Sequence, residues 1–133
     1  MRRQARFERR SGPDVVVKSS VGITAITGVG VLTVRANNTG RGAIQVTGWG
    51  FYLPDRRSIF ELRPMQGSSP LPLTLDGGHQ GRWMMPVTPE SPIVPLNDAE
   101  DTVLTPYADL GDGSTVEGET LTLGRGALRR LIE

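Results

Sequence analysis

The chain has 133 residues, a length typical of one domain and sufficient to bury a core without cross-links. It contains no cysteine, which excludes disulfide bonds, thiolate metal ligands and a thiol nucleophile. No apolar run approaches the roughly 18 residues of a membrane-spanning helix, and the charged start lacks the apolar stretch of a signal peptide. We therefore expect a protein of a host or bacterial cytoplasm, or of a virion assembled there, with no secretion signal.

The net charge of +1 hides two oppositely charged halves. Residues 1–63 carry 11 basic and 4 acidic side chains, whereas residues 64–133 carry 4 basic and 10 acidic ones. If the halves occupy different faces, this polarity suits head-to-tail contacts between copies. If a β-sandwich interleaves them, the charges mix and the polarity has no such meaning.

Residues 1–12 are predicted to form an N-terminal arm that ends at Gly12 and Pro13 and becomes ordered on a partner. Its arginines suit either an acidic protein surface or nucleic acid phosphates. Because the strands that follow lack a basic, aromatic-rich face for stacking bases, we expect a protein partner. The predicted partner-binding residues of the arm are Arg2, Arg3, Arg6, Phe7, Arg9 and Arg10.

From residue 14 onward, short β-branched runs alternate with turns rich in glycine, proline and asparagine. The predicted strands are 15–21, 29–35, 43–53, 58–62, 71–75, 81–87, 102–110 and 115–123, with 23–27 either a short strand or a connection. Residues 97–103 are predicted to form a short helix, and residues 127–132 a helical turn or an irregular tail.

The strand at 43–53 carries large apolar groups on both faces near its end, which predicts a central position in a sheet. Gly48 and Gly50 leave room beside Trp49 for another backbone or an indole ring. We expect these large apolar residues to lie in the core: both tryptophans, Phe51, Tyr52, Met84 and Met85. The alternative is that one or two of them are exposed and form an interface patch.

Many short strands and no long helix predict an all-β fold, an immunoglobulin-like sandwich of about seven to eight antiparallel strands. We assign residues 13–123 to this domain, with the N-terminal arm before it and a short C-terminal tail at 124–133. The apolar edge and the basic pair of this tail are predicted as a second contact segment. Its predicted partner-binding residues are Leu128, Arg129, Arg130, Leu131 and Ile132.

Residues 29–123 resemble small bacterial immunoglobulin-like modules. A strand ending in asparagine before a glycine turn (32–40), the turn at 75–83 and the closing hairpin at 108–113 carry this resemblance. The Val-Thr-Gly-Trp-Gly strand at 46–50 is similar to β-sandwich proteins of actinobacteria and actinophages. The resemblance implies a sandwich fold and a role in adhesion, decoration or scaffolding, by analogy of fold alone.

The residue types needed for catalysis are sparse. His79 is the only histidine and lies in a Gly-Gly-His-Gln-Gly turn, which is a poor place to orient a general base. One histidine without any cysteine also argues against a zinc site. Asp98, Glu100 and Asp101 with Asn97 are either calcium ligands or a solvated acidic loop, and their spacing lacks the EF-hand pattern. We predict no enzyme activity, no cofactor and no metal.

The sequence therefore predicts a non-enzymatic structural or protein-binding module that docks through its termini. The preferred hypothesis is a phage virion component, either a capsid decoration or a minor structural protein, whose partners are other copies or capsid or tail proteins. Two alternatives stay open. One is a bacterial accessory module that binds a single protein, and the other is a carbohydrate-binding module, which exposure of Trp49 or Trp83 would favour.

Overall fold

The computed structural model describes residues 12–24, 28–61 and 65–133, which form nine strands and two short helices. The strands are β1 (Val15–Ile23), β2 (Gly30–Asn38), β3 (Ile44–Tyr52), β4 (Ser58–Ile59), β5 (Leu73–Leu75), β6 (Gln80–Pro86), β7 (Thr102–Leu110), β8 (Thr115–Glu117) and β9 (Leu121–Leu123). The helices are α1 (Ile93–Ala99) and α2 (Ala127–Ile132). The all-β class predicted from the sequence is confirmed.

The strands form two antiparallel sheets that pack against each other. The three-stranded sheet has the order β1-β2-β6, and the six-stranded sheet has the order β4-β3-β7-β8, with β5 paired to β3 and β9 paired to β7. The central position predicted for β3 is confirmed, since it pairs with three other strands. The predicted strand at 58–62 is shorter in the structure, where β4 ends at Ile59.

The core lies between the sheets and is filled by alternate residues of their strands. Leu32, Val34 and Phe51 have no exposed surface, and Trp83 is 1% exposed. Each large apolar side chain buried in this way stabilises the fold by about 1.5–3 kcal/mol relative to an exposed one. The predicted core residues are therefore confirmed for both tryptophans, Phe51 and Met84, whereas Tyr52 and Met85 are only half-buried.

The helix predicted at 97–103 is displaced toward the N-terminus in the structure. Helix α1 begins after Pro92, which has φ −60°, and Pro95 lies in its first turn. Proline is tolerated there because the first backbone N–H groups of a helix have no acceptor within the helix. The β-branched pair Thr102–Val103 then enters β7. The prolines, interpreted as irregular structure, are in fact compatible with the start of this helix.

Candidate functional site

The C-terminal tail is part of the packed fold. Residues 127–132 form α2, which confirms the predicted helical turn. Leu128 has no exposed surface, so its prediction as a contact residue is corrected: its side chain already packs in the core and is not available to a partner. Leu131 and Ile132 are half-buried against the same core. The apolar side chains of the tail are therefore largely buried against their own chain.

The basic residues of the tail differ in the contacts that they make. Arg129 donates to Asp98 across 2.7 Å, and this contact raises the pKa of the guanidinium. The backbone N–H of Arg125 donates to the carboxylate of Asp101 across 2.8 Å. Arg130 is exposed, with a weak hydrogen bond of 3.4 Å to a backbone carbonyl. Of the five predicted tail residues, Arg130 is the most accessible to a partner.

Asn97 joins the tail to the sandwich. Its side chain has no exposed surface, and its Oδ1 accepts a hydrogen bond of 2.9 Å from the backbone N–H of Leu128. Its Nδ2 donates to the carbonyls of Leu123 and Gly124 at 3.2 and 3.1 Å. Because its carboxamide is committed to the backbone, it is not free to ligate an ion. Among the described residues, no three carboxylate or imidazole groups lie together as metal ligands.

The six predicted arm residues lie outside the described residues, but the point at which the arm joins the sandwich is well defined. The carbonyl of Gly12 accepts from the N–H of Arg41 at 3.1 Å, and the carbonyl of Asp14 accepts from the N–H of Thr39 at 2.7 Å. The N–H of Asp14 donates to Oδ1 of Asn38 at 3.1 Å, and Asn38 is 1% exposed. The chain is therefore anchored from Gly12 onward.

A groove runs along the side of the sandwich between β1 and the β8–β9 segment. This edge groove is lined by residues 15–19 and 116–121 and encloses about 760 Å³. Among the described strands, β1 pairs with β2 alone and β8 with β7 alone. At its floor Gly118 packs so closely on the carbonyl of Val17 that any side chain there would overlap it. The backbone that follows β8 therefore already covers the edge of β1 at Val17.

The edge groove contains two carboxylates with different surroundings. Glu117 binds Arg56 in a bidentate pair with distances of 3.0 and 2.9 Å, and this hydrogen bonding lowers the pKa of Glu117. Glu119 is exposed and has no ion pair among the described residues. Val16, 39% exposed, adds apolar surface beside them. The groove therefore offers a ligand parts of two strand edges, the cation Lys18, apolar contact and one carboxylate with no ion pair among the described residues.

The outer face of the six-stranded sheet carries an aromatic cluster. The rings of Tyr52 and Tyr107 stack with centroids 4.3 Å apart, and the Arg56 guanidinium lies 4.2 Å above the centroid of Tyr52. The space at Gly50, predicted to admit a backbone or an indole, is filled by the Tyr107 ring and the carbonyl of Ile59. Burial raises the pKa of Tyr107. These contacts hold β3, β4 and β7 together.

The residues that would favour other functions lie in unfavourable places. Trp49 is 7% exposed and Trp83 is 1% exposed, so neither indole offers a face on which a sugar could stack. His79 lies in an exposed turn, where its backbone N–H donates to the carbonyl of Asp76 and its carbonyl accepts from Asn38. In the described part of the chain, neither helix is long and apolar enough to cross a bilayer.

Comparison with known proteins gives distant structural neighbours only. No protein-family model matches the sequence, and no curated protein matches it. Among solved structures, the putative ApaA protein from Bordetella pertussis is 18% identical, with 86% of this chain and 95% of that chain covered and a TM-score of 0.47. A second structural-genomics target is 11% identical, with 86% and 88% covered and a TM-score of 0.41. Neither likeness assigns a function.

Proposed function

We propose that this chain is a non-enzymatic structural module with an immunoglobulin-like sandwich, and that it assembles with copies of itself or with capsid or tail proteins. We further propose that it serves in a phage virion as a capsid decoration or a minor structural protein. The observation that supports assembly is the edge groove, because β1 and β8, each paired with a single described strand, border about 760 Å³ of space. Extended segments bind such edges by adding a strand, with backbone hydrogen bonds supplying affinity.

The N-terminal arm offers a basic segment to the one lining carboxylate that has no ion pair among the described residues, although Lys18 also lines the groove. The arm carries five arginines, and Glu119 at the groove wall has no ion pair within the described part of the chain. Complementary charge speeds encounter and fixes the register of the bound segment more than it adds affinity. A single phenylalanine in the arm can contact the exposed surface of Val16. The proposal therefore places the arm, and not the tail, as the principal docking segment.

The arm is expected to reach the groove of a neighbouring copy. Gly12 and Asp14 are hydrogen-bonded to the loop after β2, so the arm joins the fold beyond the Val15 end of β1. To lie in its own groove, the chain would have to reverse direction immediately before Gly12. Eleven extended residues span roughly 36 Å, enough to cross to an adjacent molecule. Exchange of arms between copies therefore requires no reversal.

Self-assembly is tested by sedimentation and light scattering on four proteins. These are the full chain, a chain that begins at Gly12, Glu119→Lys and the matched control Glu90→Lys, in which an exposed glutamate outside the groove is changed. We expect the full chain and the control to self-associate, the shortened chain to be monomeric, and Glu119→Lys to weaken association by a smaller factor, about two- to fivefold. A full chain that is monomeric at all concentrations, or an arm-independent oligomer, contradicts arm exchange.

The virion role is tested separately by affinity capture from a lysate of the source. The full chain, the chain beginning at Gly12 and Glu119→Lys are compared, with bound proteins identified by mass spectrometry. Enrichment of capsid or tail proteins by the full chain alone supports the virion role. Recovery of host proteins only, or of the same proteins by all three, contradicts it and favours a bacterial accessory module.

A further inference from the structure

Three cations stand in one row on the outer face of the three-stranded sheet. Lys18 of β1 lies directly opposite Arg35 of β2, which in turn lies directly opposite Arg82 of β6. All three are exposed, and none has an ion pair among the described residues. Neighbouring strands are about 4.8 Å apart, so three positive charges cross roughly 10 Å of surface. Like charges directly opposite one another destabilise a sheet.

The neighbouring rows of this sheet do not neutralise the cation row. On one side the row is Val16, Asn37 and Gln80, and on the other it is Ser20, Thr33 and Met84. Neither of these described rows brings a carboxylate. The repulsion is therefore uncompensated within the sheet, which is the arrangement expected where an anion binds from outside.

An apolar hollow adjoins the cation row. It encloses about 620 Å³, has Val31, Thr33 and Met84 among its lining residues, and reaches Arg82 of the row. Met65 contributes to its wall. Val31 and Thr33 are each only 6% exposed, so these lining residues are recessed below the surface. Its size falls within the 300–1,000 Å³ typical of small-molecule sites.

We propose that this face binds a small amphiphilic anion, with its carboxylate or phosphate head on Arg35 and Arg82 and its aliphatic tail in the hollow. A planar guanidinium binds both head groups in a bidentate manner, and two of them can share one head. The site is separate from the edge groove, apart from Lys18, which borders both. The residues proposed to hold the head group, Arg35 and Arg82, do not line the edge groove.

The recessed lining favours a soluble amphiphile over a membrane surface. A flat bilayer would meet the exposed cations but not side chains that are 6% exposed. An acidic polymer would likewise use the row and leave the hollow empty. Only a ligand with one head and a slender apolar tail uses both features at once, which is why we commit to that class.

The test is a titration series of the full chain with inorganic phosphate, butyl phosphate and octyl phosphate, below micelle-forming concentrations, followed by calorimetry. We expect affinity to increase by about two- to fourfold for each methylene that enters the hollow. The double variant Arg35→Gln/Arg82→Gln should lose at least tenfold in affinity for octyl phosphate. The control Arg57→Gln removes one exposed cation near the other sheet and should leave affinity unchanged.

Other outcomes overturn the proposal. Affinity that does not depend on chain length, together with equal binding of polyglutamate or an oligonucleotide, would indicate a polyanion surface without use of the hollow. Binding to vesicles of anionic lipid as strong as to octyl phosphate would indicate a membrane surface. Equal affinity of the double variant and the full chain would show that the cation row binds nothing. Circular dichroism of each variant confirms that the fold is retained.

Discussion

Two buried asparagines close opposite ends of the sandwich with the same chemistry. Nδ2 of Asn38 donates to the carbonyls of Gly42 and Leu75 at 2.7 and 2.9 Å, and its Oδ1 accepts from two backbone N–H groups. Asn97 likewise donates to two carbonyls and accepts from Leu128. Each carboxamide replaces hydrogen bonds that water would otherwise make to buried backbone groups.

The two asparagines hold different parts of the chain. Past Asn97, the chain places Leu128 in the core and rests Leu131 and Ile132 on it, so the C-terminus is part of the fold. At the Asn38 end, the chain enters through Gly12 and Asp14, which are held by backbone hydrogen bonds. A buried asparagine therefore holds a packed C-terminus at one end of the sandwich and the first described residues of the chain at the other.

The largest expected effect comes from replacing each asparagine by aspartate. Asn38→Asp and Asn97→Asp remove the two N–H donors and bury a carboxylate against carbonyl oxygens, so we expect each to lower the free energy of unfolding by about 3–5 kcal/mol. Asn37→Asp, the matched control on the adjacent half-buried residue, should cost less than about 1 kcal/mol. Urea denaturation measures all three. An equal loss of unfolding free energy in Asn37→Asp would contradict a stabilising role for the buried hydrogen bonds of Asn38 and Asn97.

The next largest effect shows whether Leu128 of the tail stabilises the fold or binds a partner. Leu128→Ala should lower the free energy of unfolding by about 3 kcal/mol, because it leaves a cavity in the core. The half-buried Leu131 should cost about half as much when changed to alanine. Thermal and urea unfolding measure both variants. A Leu128→Ala protein that keeps its stability but loses assembly would restore the tail as a contact segment.

A third effect tests the middle of the molecule, between the two anchored ends. A Cβ atom at Gly50 would lie 2.6 Å from the carbonyl oxygen of Ile59 and 2.7 Å from the Tyr107 hydroxyl. Gly50→Ala should therefore destabilise the fold by about 1–3 kcal/mol. Gly22→Ala is the control, since a Cβ there meets nothing within 4 Å. Equal stability of the two variants would mean that the Tyr107 packing is not required.

The smallest effect depends on pH and involves neither end. Because Arg56 lowers the pKa of Glu117 below its ordinary value of 4.5, the pair stabilises the fold above about pH 4.5, and this contribution is lost as the pH falls through the lowered pKa. Arg56→Gln should flatten the decline in unfolding free energy between pH 5 and 3, by a small amount because solvent screens the pair. Arg41→Gln, at an exposed loop cation, should leave the curve unchanged.

Local patterns predicted the strands well because β-branched runs and glycine turns act over a few residues. The central position of β3 followed from apolar groups on both faces, and the space at Gly50 followed from its missing side chain. The placement of the helix at 93–99 did not follow, because proline tolerance depends on helix register. The hydrogen bonds of Asn97 could not be predicted from sequence either, since its partners lie up to 31 residues away along the chain. Charge rows across strands require a register that sequence does not supply.

The proposed binding of the arm to the edge groove is tested most directly by one titration. A 15N-labelled chain that begins at Gly12 is titrated with a synthetic peptide of residues 1–11 and followed by NMR. We predict saturable shift changes concentrated at residues 15–19 and 116–121, with an affinity that Glu119→Lys lowers by a few-fold. Shift changes confined to the cation row, or no changes at millimolar peptide, would contradict the account and leave the edge groove without its proposed occupant.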